Sequence, residues 1–178
     1  GVVRYITVGR FMPQKDYLTA IKTMEYIRNQ GVDFKYTIVG YGQEEDNIRK
    51  WIEDYKLSDK VEIKINPDNI SELLDEADAY LCTSLYEGTS NAIMEAMNAN
   101  LPIVATDAGD NNLLVKNKEN GYIADIGDYK KLGDALVRLN DEKLRLQMGK
   151  MSKQILLDNY SVETFKTSYL NLLKRYGI

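Results

Sequence analysis

Short apolar runs rich in β-branched and aromatic residues alternate with stretches of helical periodicity along most of this chain, and that rhythm narrows the fold more than any other feature. Residues 2–8, 34–39, 61–65, 79–82, 103–105 and 121–124 read as strands. Residues 14–30, 44–55, 71–76 and 91–99 read as the helices between them. Strands that each return through a helix pair in parallel, so the expected fold is α/β, a Rossmann-like doubly wound parallel sheet of about six strands. Asp128 is placed to cap a further helix carrying Leu132, Leu136, Val137 and Leu139, and helical patterns follow at 141–157 and 162–176. The chain thus ends in helices beyond the sheet. In the last of them Phe165, Tyr169, Leu172 and Leu173 recur at helical spacing, to pack on their own sheet or on a neighbouring domain.

No repeat, low-complexity tract or Pro/Gly-rich linker divides the 178 residues, which predicts one domain. An apolar strand that starts at Val2, straight after Gly1, reads as a domain whose N-terminal partner is absent. The chain contains no histidine, which excludes a Ser-His-Asp arrangement and every His-based zinc site. Chemistry falls to carboxylates, cations, hydroxyls and the backbone. A net charge of -4 lacks the basic footprint of a nucleic-acid binder, while leaving room for a local cationic pocket. The single cysteine, Cys82, sits in an apolar strand and reads as a buried thiol. With no membrane-length apolar stretch and no signal-peptide pattern, a cytoplasmic setting is expected.

In a doubly wound sheet, ligands bind at the C-terminal edge of the strands, where helix N-termini attract anions. Four loops fall on that edge. After the first strand, Gly9 permits close backbone approach while Arg10 and Lys15 bring two cations to a helix entrance. Each cation read alone is equally a solvated surface charge. After the second strand, Gly40 and Gly42 fall short of a full dinucleotide fingerprint, because Glu45 stands at the third glycine position; a tight strand-to-helix turn is the favoured reading. The third loop, residues 83–91, crowds hydroxyls and amides before a helix. It also sets Glu87 and Glu95 near one helix end, where carboxylates can accept hydrogen bonds from sugar hydroxyls. Taken alone, Glu87 complements a helix dipole and Glu95 fits an exposed helix position. In the fourth loop Gly109 either turns the chain or admits a ligand.

Together these segments resemble the C-terminal, donor-binding domain of the group 1 (family 4) retaining glycosyltransferases, one half of the two-domain GT-B fold, over residues 5–176. The most specific match is Glu87-Gly88-Thr89-Ser90-Asn91-Ala92-Ile93-Met94-Glu95, the E-x7-E signature, followed in register by residues 100–106. The resemblance implies that a nucleoside-diphosphate sugar is bound, with Gly9, Arg10 and Lys15 around its diphosphate. Thr89, Ser90 and Asn91 would cap that group, Glu95 would hold the ribose, and Glu87 would face the transferred sugar as the catalytic candidate. It implies no metal and no cofactor, since the cations neutralise the leaving diphosphate; the sequence has no D-x-D motif. It further implies transfer only when the N-terminal acceptor domain is joined, and it leaves room for peripheral membrane association of the full-length enzyme in polysaccharide biosynthesis.

Asp16 stands where the family commonly has glycine after the lysine, Asp110 replaces the second glycine of a frequent pair, and residues 65–68 lack a common glycine. The donor base stays open on these grounds. Rival readings are a nucleotide-sugar epimerase of the same fold, opposed by the E-x7-E match, and a nucleotide-binding or interaction module without transfer activity. An NAD-binding Rossmann domain lacks its glycine fingerprint here.

Overall fold

The computed structural model describes residues 1–160 together with Leu170 and Lys174. The helical pattern expected at 162–176 lies outside the described residues, apart from those two positions. Six parallel strands form one sheet in the order β3-β2-β1-β4-β5-β6: β1 (Val3–Val8), β2 (Phe34–Gly40), β3 (Val61–Ile65), β4 (Ala79–Cys82), β5 (Ile103–Thr106) and β6 (Gly121–Ala124). This is the doubly wound order in which the chain reverses direction of growth between β1 and β4. The helices are α1 (Tyr17–Asn29), α2 (Glu45–Asp54), α3 (Ile70–Glu76), α4 (Asn91–Asn98), α5 (Asn111–Leu114), α6 (Tyr129–Arg138) and α7 (Glu142–Asn159). No helix among the described residues is long and apolar enough to cross a membrane.

The period-2 geometry of a strand explains why β1 is apolar almost throughout. Val3 and Tyr5 face a core built with α1, α2 and α6, including Ile21, Ile48 and Leu136. Ile6 and Val8 face a second core on the other side, with Leu74 of α3 and Ile93 and Met97 of α4. Helix α7 gives Met148 to the first core and Leu156 to the second, so it bridges the two.

Asp128 and Asp141 cap α6 and α7 through the amides of Lys131 and Leu144. The helical pattern read as continuous over 14–30 is in fact two pieces, a 3-10 turn at Pro13–Lys15 and then α1. They are separated by Asp16, whose φ of 48° lies in the left-handed region. Periodicity reports which face is buried and is blind to a single reversed residue, so the break left no trace in the hydrophobic pattern.

At the switch point the ladder is brief. β1 and β4 pair in register only at Tyr5 with Ala79 and Ile6 with Tyr80. Beyond them, side chains take over: the Tyr80 hydroxyl donates to the Val8 carbonyl at 2.8 Å, and the Thr7 hydroxyl donates to the Leu81 carbonyl at 2.6 Å. The first and third loops emerge from the C-terminal ends of these two strands.

Candidate functional site

The first loop leaves β1 through Gly9, whose carbonyl accepts from the Tyr17 hydroxyl at 3.0 Å. It is laced to the second loop by backbone bonds, Phe11 amide to Tyr41 carbonyl and Glu44 amide to Phe11 carbonyl, both 2.8 Å. Gly40 has a φ of 153°, and a Cβ there would overlap the Gly9 carbonyl oxygen. Gly40 is therefore needed for the close approach of two loops, which supports the turn reading of that segment. The Arg10 guanidinium lies over the Tyr41 ring at 4.9 Å, a cation–π contact, and its Nε is buried without a hydrogen-bond partner.

Beyond the 3-10 turn, Asp16 caps α1 by accepting from the Thr19 amide and hydroxyl at 3.3 and 2.6 Å. Asp16 is thus both the left-handed residue before α1 and its cap. Asn66, after β3, also has a positive φ, of 46°. Asp and Asn tolerate this region better than other non-glycine residues. Both residues are thus among the non-glycine types best suited to the left-handed backbone they adopt here.

The third loop is tied to the first. The Thr83 hydroxyl donates to the carbonyls of Lys15 and Asp16, both at 2.9 Å, and the Leu85 amide donates to the Gln14 carbonyl at 2.8 Å. Within it the buried Ser84 hydroxyl donates to Glu87 Oε1 at 2.7 Å, and the Thr106 hydroxyl holds the Ser84 carbonyl at 2.7 Å. Lys15 Nζ reaches the same Glu87 Oε1 at 2.5 Å, joining residues 72 apart in sequence. The pair is largely withdrawn from water, with side chains 13% and 11% exposed. The fourth loop supports it from below: Gly109 has a φ of 50°, and a Cβ there would overlap the Glu87 carbonyl oxygen.

Ser90 caps α4, accepting from the Ile93 amide at 3.1 Å. One turn further Glu95 is 6% exposed, which overturns the reading of it as a surface position. Its Oε2 has no hydrogen-bond partner, and burial, aided by the charge of Asp75, pushes its carboxyl up to about 7. An orphaned buried carboxylate oxygen is expensive, and such atoms gather where a ligand completes the bonding. Cys82 is buried, donates to the Ser84 hydroxyl at 3.4 Å, and has its thiol pushed up by burial, as the buried-strand reading expects.

Arg10, Lys15, Glu87 and Thr89 line one groove of about 430 Å³ at the switch point. Gly9 and Ser90 line a small recess that shares Lys15 and Glu87 with it. Asn91 and Glu95, the first residue of α4 and one a turn later, line neither. The arrangement gathers two cations, a fixed carboxylate and a capped helix N-terminus, which suits an anionic ligand that also carries hydroxyls.

The family profile described as "Glycosyl transferases group 1" matches residues 3–155, most of the chain and all of the sheet. This chain belongs to that family. Among group 1 relatives, the UDP-Gal:alpha-D-GlcNAc-diphosphoundecaprenol alpha-1,3-galactosyltransferase of Escherichia coli is 27% identical over 176 residues, covering 95% of this chain and 46% of its own. The amylovoran biosynthesis glycosyltransferase AmsK of Erwinia amylovora is 34% identical over 146 residues, covering 78% of this chain and 36% of its own. A mutant of Staphylococcus aureus TarM, solved in a complex that contains UDP, superposes with a TM-score of 0.86 at 26% identity, over 95% of this chain and 35% of that one. The chain spans less than half the length of these relatives.

Within this group 1 domain, the sequence pointed to Arg10, Lys15, Glu87 and Thr89, and the fold brings them to one groove. Sequence reasoning missed Ser84 and Tyr41 as partners of Glu87 and Arg10. A serine three residues before the glutamate was the available signal for the first. Nothing in spacing marks the second.

Proposed function

We propose that the groove binds the diphosphate of a nucleoside-diphosphate sugar, and that the complete enzyme transfers the sugar to an acceptor with retention of anomeric configuration. The convergence of Arg10, Lys15 and Glu87 on one groove at the switch point carries this reading. Arg10 and Lys15 supply the charge that a departing diphosphate develops. The free amides at the start of α4, beside Thr89 and Ser90, add the positive end of a helix. Glu95, with its unpartnered buried oxygen, accepts from the ribose hydroxyls, and Glu87 orients the transferred sugar. The relatives are more than twice as long as their matched regions, and we assign acceptor binding to the part that this chain does not match. The chain alone then binds donor without transferring it. A cytoplasmic setting fits a lone free thiol such as Cys82.

The test is the melting temperature of the chain with millimolar UDP, GDP, ADP and NAD, since a ligand of the native state raises it by mass action. A shift with one nucleoside diphosphate, lost in Arg10→Ala and Glu95→Ala and unchanged by EDTA, is the expected result. Absence of any shift would favour a protein-interaction module instead. Retention is read from the anomeric configuration of the product made by the complete enzyme.

A further inference from the structure

We infer that Glu87 is an internal counter-ion with which a donor phosphate must compete for Lys15, so that the site holds a bare nucleoside diphosphate less tightly than its cations alone would. This rests on the groove being the diphosphate site. Lys15 Nζ and Glu87 Oε1 lie 2.5 Å apart and are mostly shielded from solvent, where a charge pair is screened far less than on an open surface.

Both partners sit on anchored segments. The backbone of Lys15 is held by the Thr83 hydroxyl, and its neighbour Gln14 by the Leu85 amide. Glu87 is gripped at the same Oε1 by Ser84, which is buried and itself fixed through Thr106. A phosphate that reaches Lys15 therefore takes over part of its charge while standing beside a carboxylate that stays in place. Two like charges then face one ammonium, and Arg10, already stacked on Tyr41, is the cation left to offset the repulsion. Once transfer has removed the sugar, the repulsion from Glu87 helps expel the product.

The experiment is calorimetric titration of the chain with inorganic pyrophosphate, UDP, GDP and ADP, beside Glu87→Gln, Glu87→Ala, Lys15→Ala and the Lys15→Ala/Glu87→Gln double variant. Removing the carboxylate should tighten the best-bound diphosphate about tenfold or more, the scale of one close charge coupling. On the Lys15→Ala background the same replacement should change affinity by less than about twofold, because the cation it competes for is gone. Diphosphate binding that is unchanged or weaker in both Glu87 variants overturns the inference and leaves the groove reading intact. Failure of all five proteins to bind any probe overturns both.

Discussion

Glu95 and Gly109 are the residues whose single atoms matter most. The Glu95 carboxyl is pushed up to about 7 from an ordinary value near 4.5, so the folded state binds its proton more tightly than the unfolded chain does. Its contribution to stability is then greatest below about pH 4.5 and is lost as pH rises to 7, a change of roughly 2–4 kcal/mol. Glu95→Gln, which cannot ionise, should melt several degrees above the parent at pH 8 and close to it at pH 5 by scanning calorimetry. The same variant should bind nucleotide more weakly, because a site's strained group is exchanged for stability. At Gly109, any side chain meets the Glu87 backbone. Gly109→Ala should therefore cost about 1–3 kcal/mol of stability in urea unfolding and, by shifting Glu87 away from Lys15, tighten diphosphate binding. A stability loss with unchanged binding would show that the fourth loop does not set the position of Glu87.

Helix α1 depends on a residue that serves two conformational ends at once. Asp16 supplies its cap while sitting at a φ of 48°, where alanine is strained and cannot cap. Asp16→Ala should cost about 2 kcal/mol in denaturant unfolding, whereas Asp16→Asn, which tolerates the conformation and can still accept, should cost well under half of that. The elements themselves were legible because each has a period: β1 alternates between two cores, and the caps Asp128 and Asp141 precede their helices. Most boundaries fall within a residue or two of the sequence reading, and the two-piece start of α1 does not, since one reversed residue leaves the apolar face unchanged. At the candidate site, residue types clustered after strands marked the loops that the fold brings to one groove. The Lys15–Glu87 pair was not legible, because it joins two loops through the β1–β4 crossover rather than through local spacing.

Over the whole molecule, the sheet's two halves meet at β1 and β4, where two paired positions are reinforced by hydroxyls and by the Asp78 amide on the Arg4 carbonyl, and both cores run across the seam. Thr7 is central there, since its hydroxyl meets both the Leu81 carbonyl and the Tyr36 hydroxyl at 2.6 Å. Thr7→Val keeps the shape and strips those bonds, leaving two buried polar groups without this partner; a loss of about 1–3 kcal/mol, in a single transition, is the expected outcome of urea unfolding. Unfolding in two separated transitions would mean that the halves fold independently. The groove lies over this seam, with Arg10 and Lys15 on one side and Glu87 and Thr89 on the other. A ligand seated across it would act as a removable rivet, since it would touch both halves of the sheet at once.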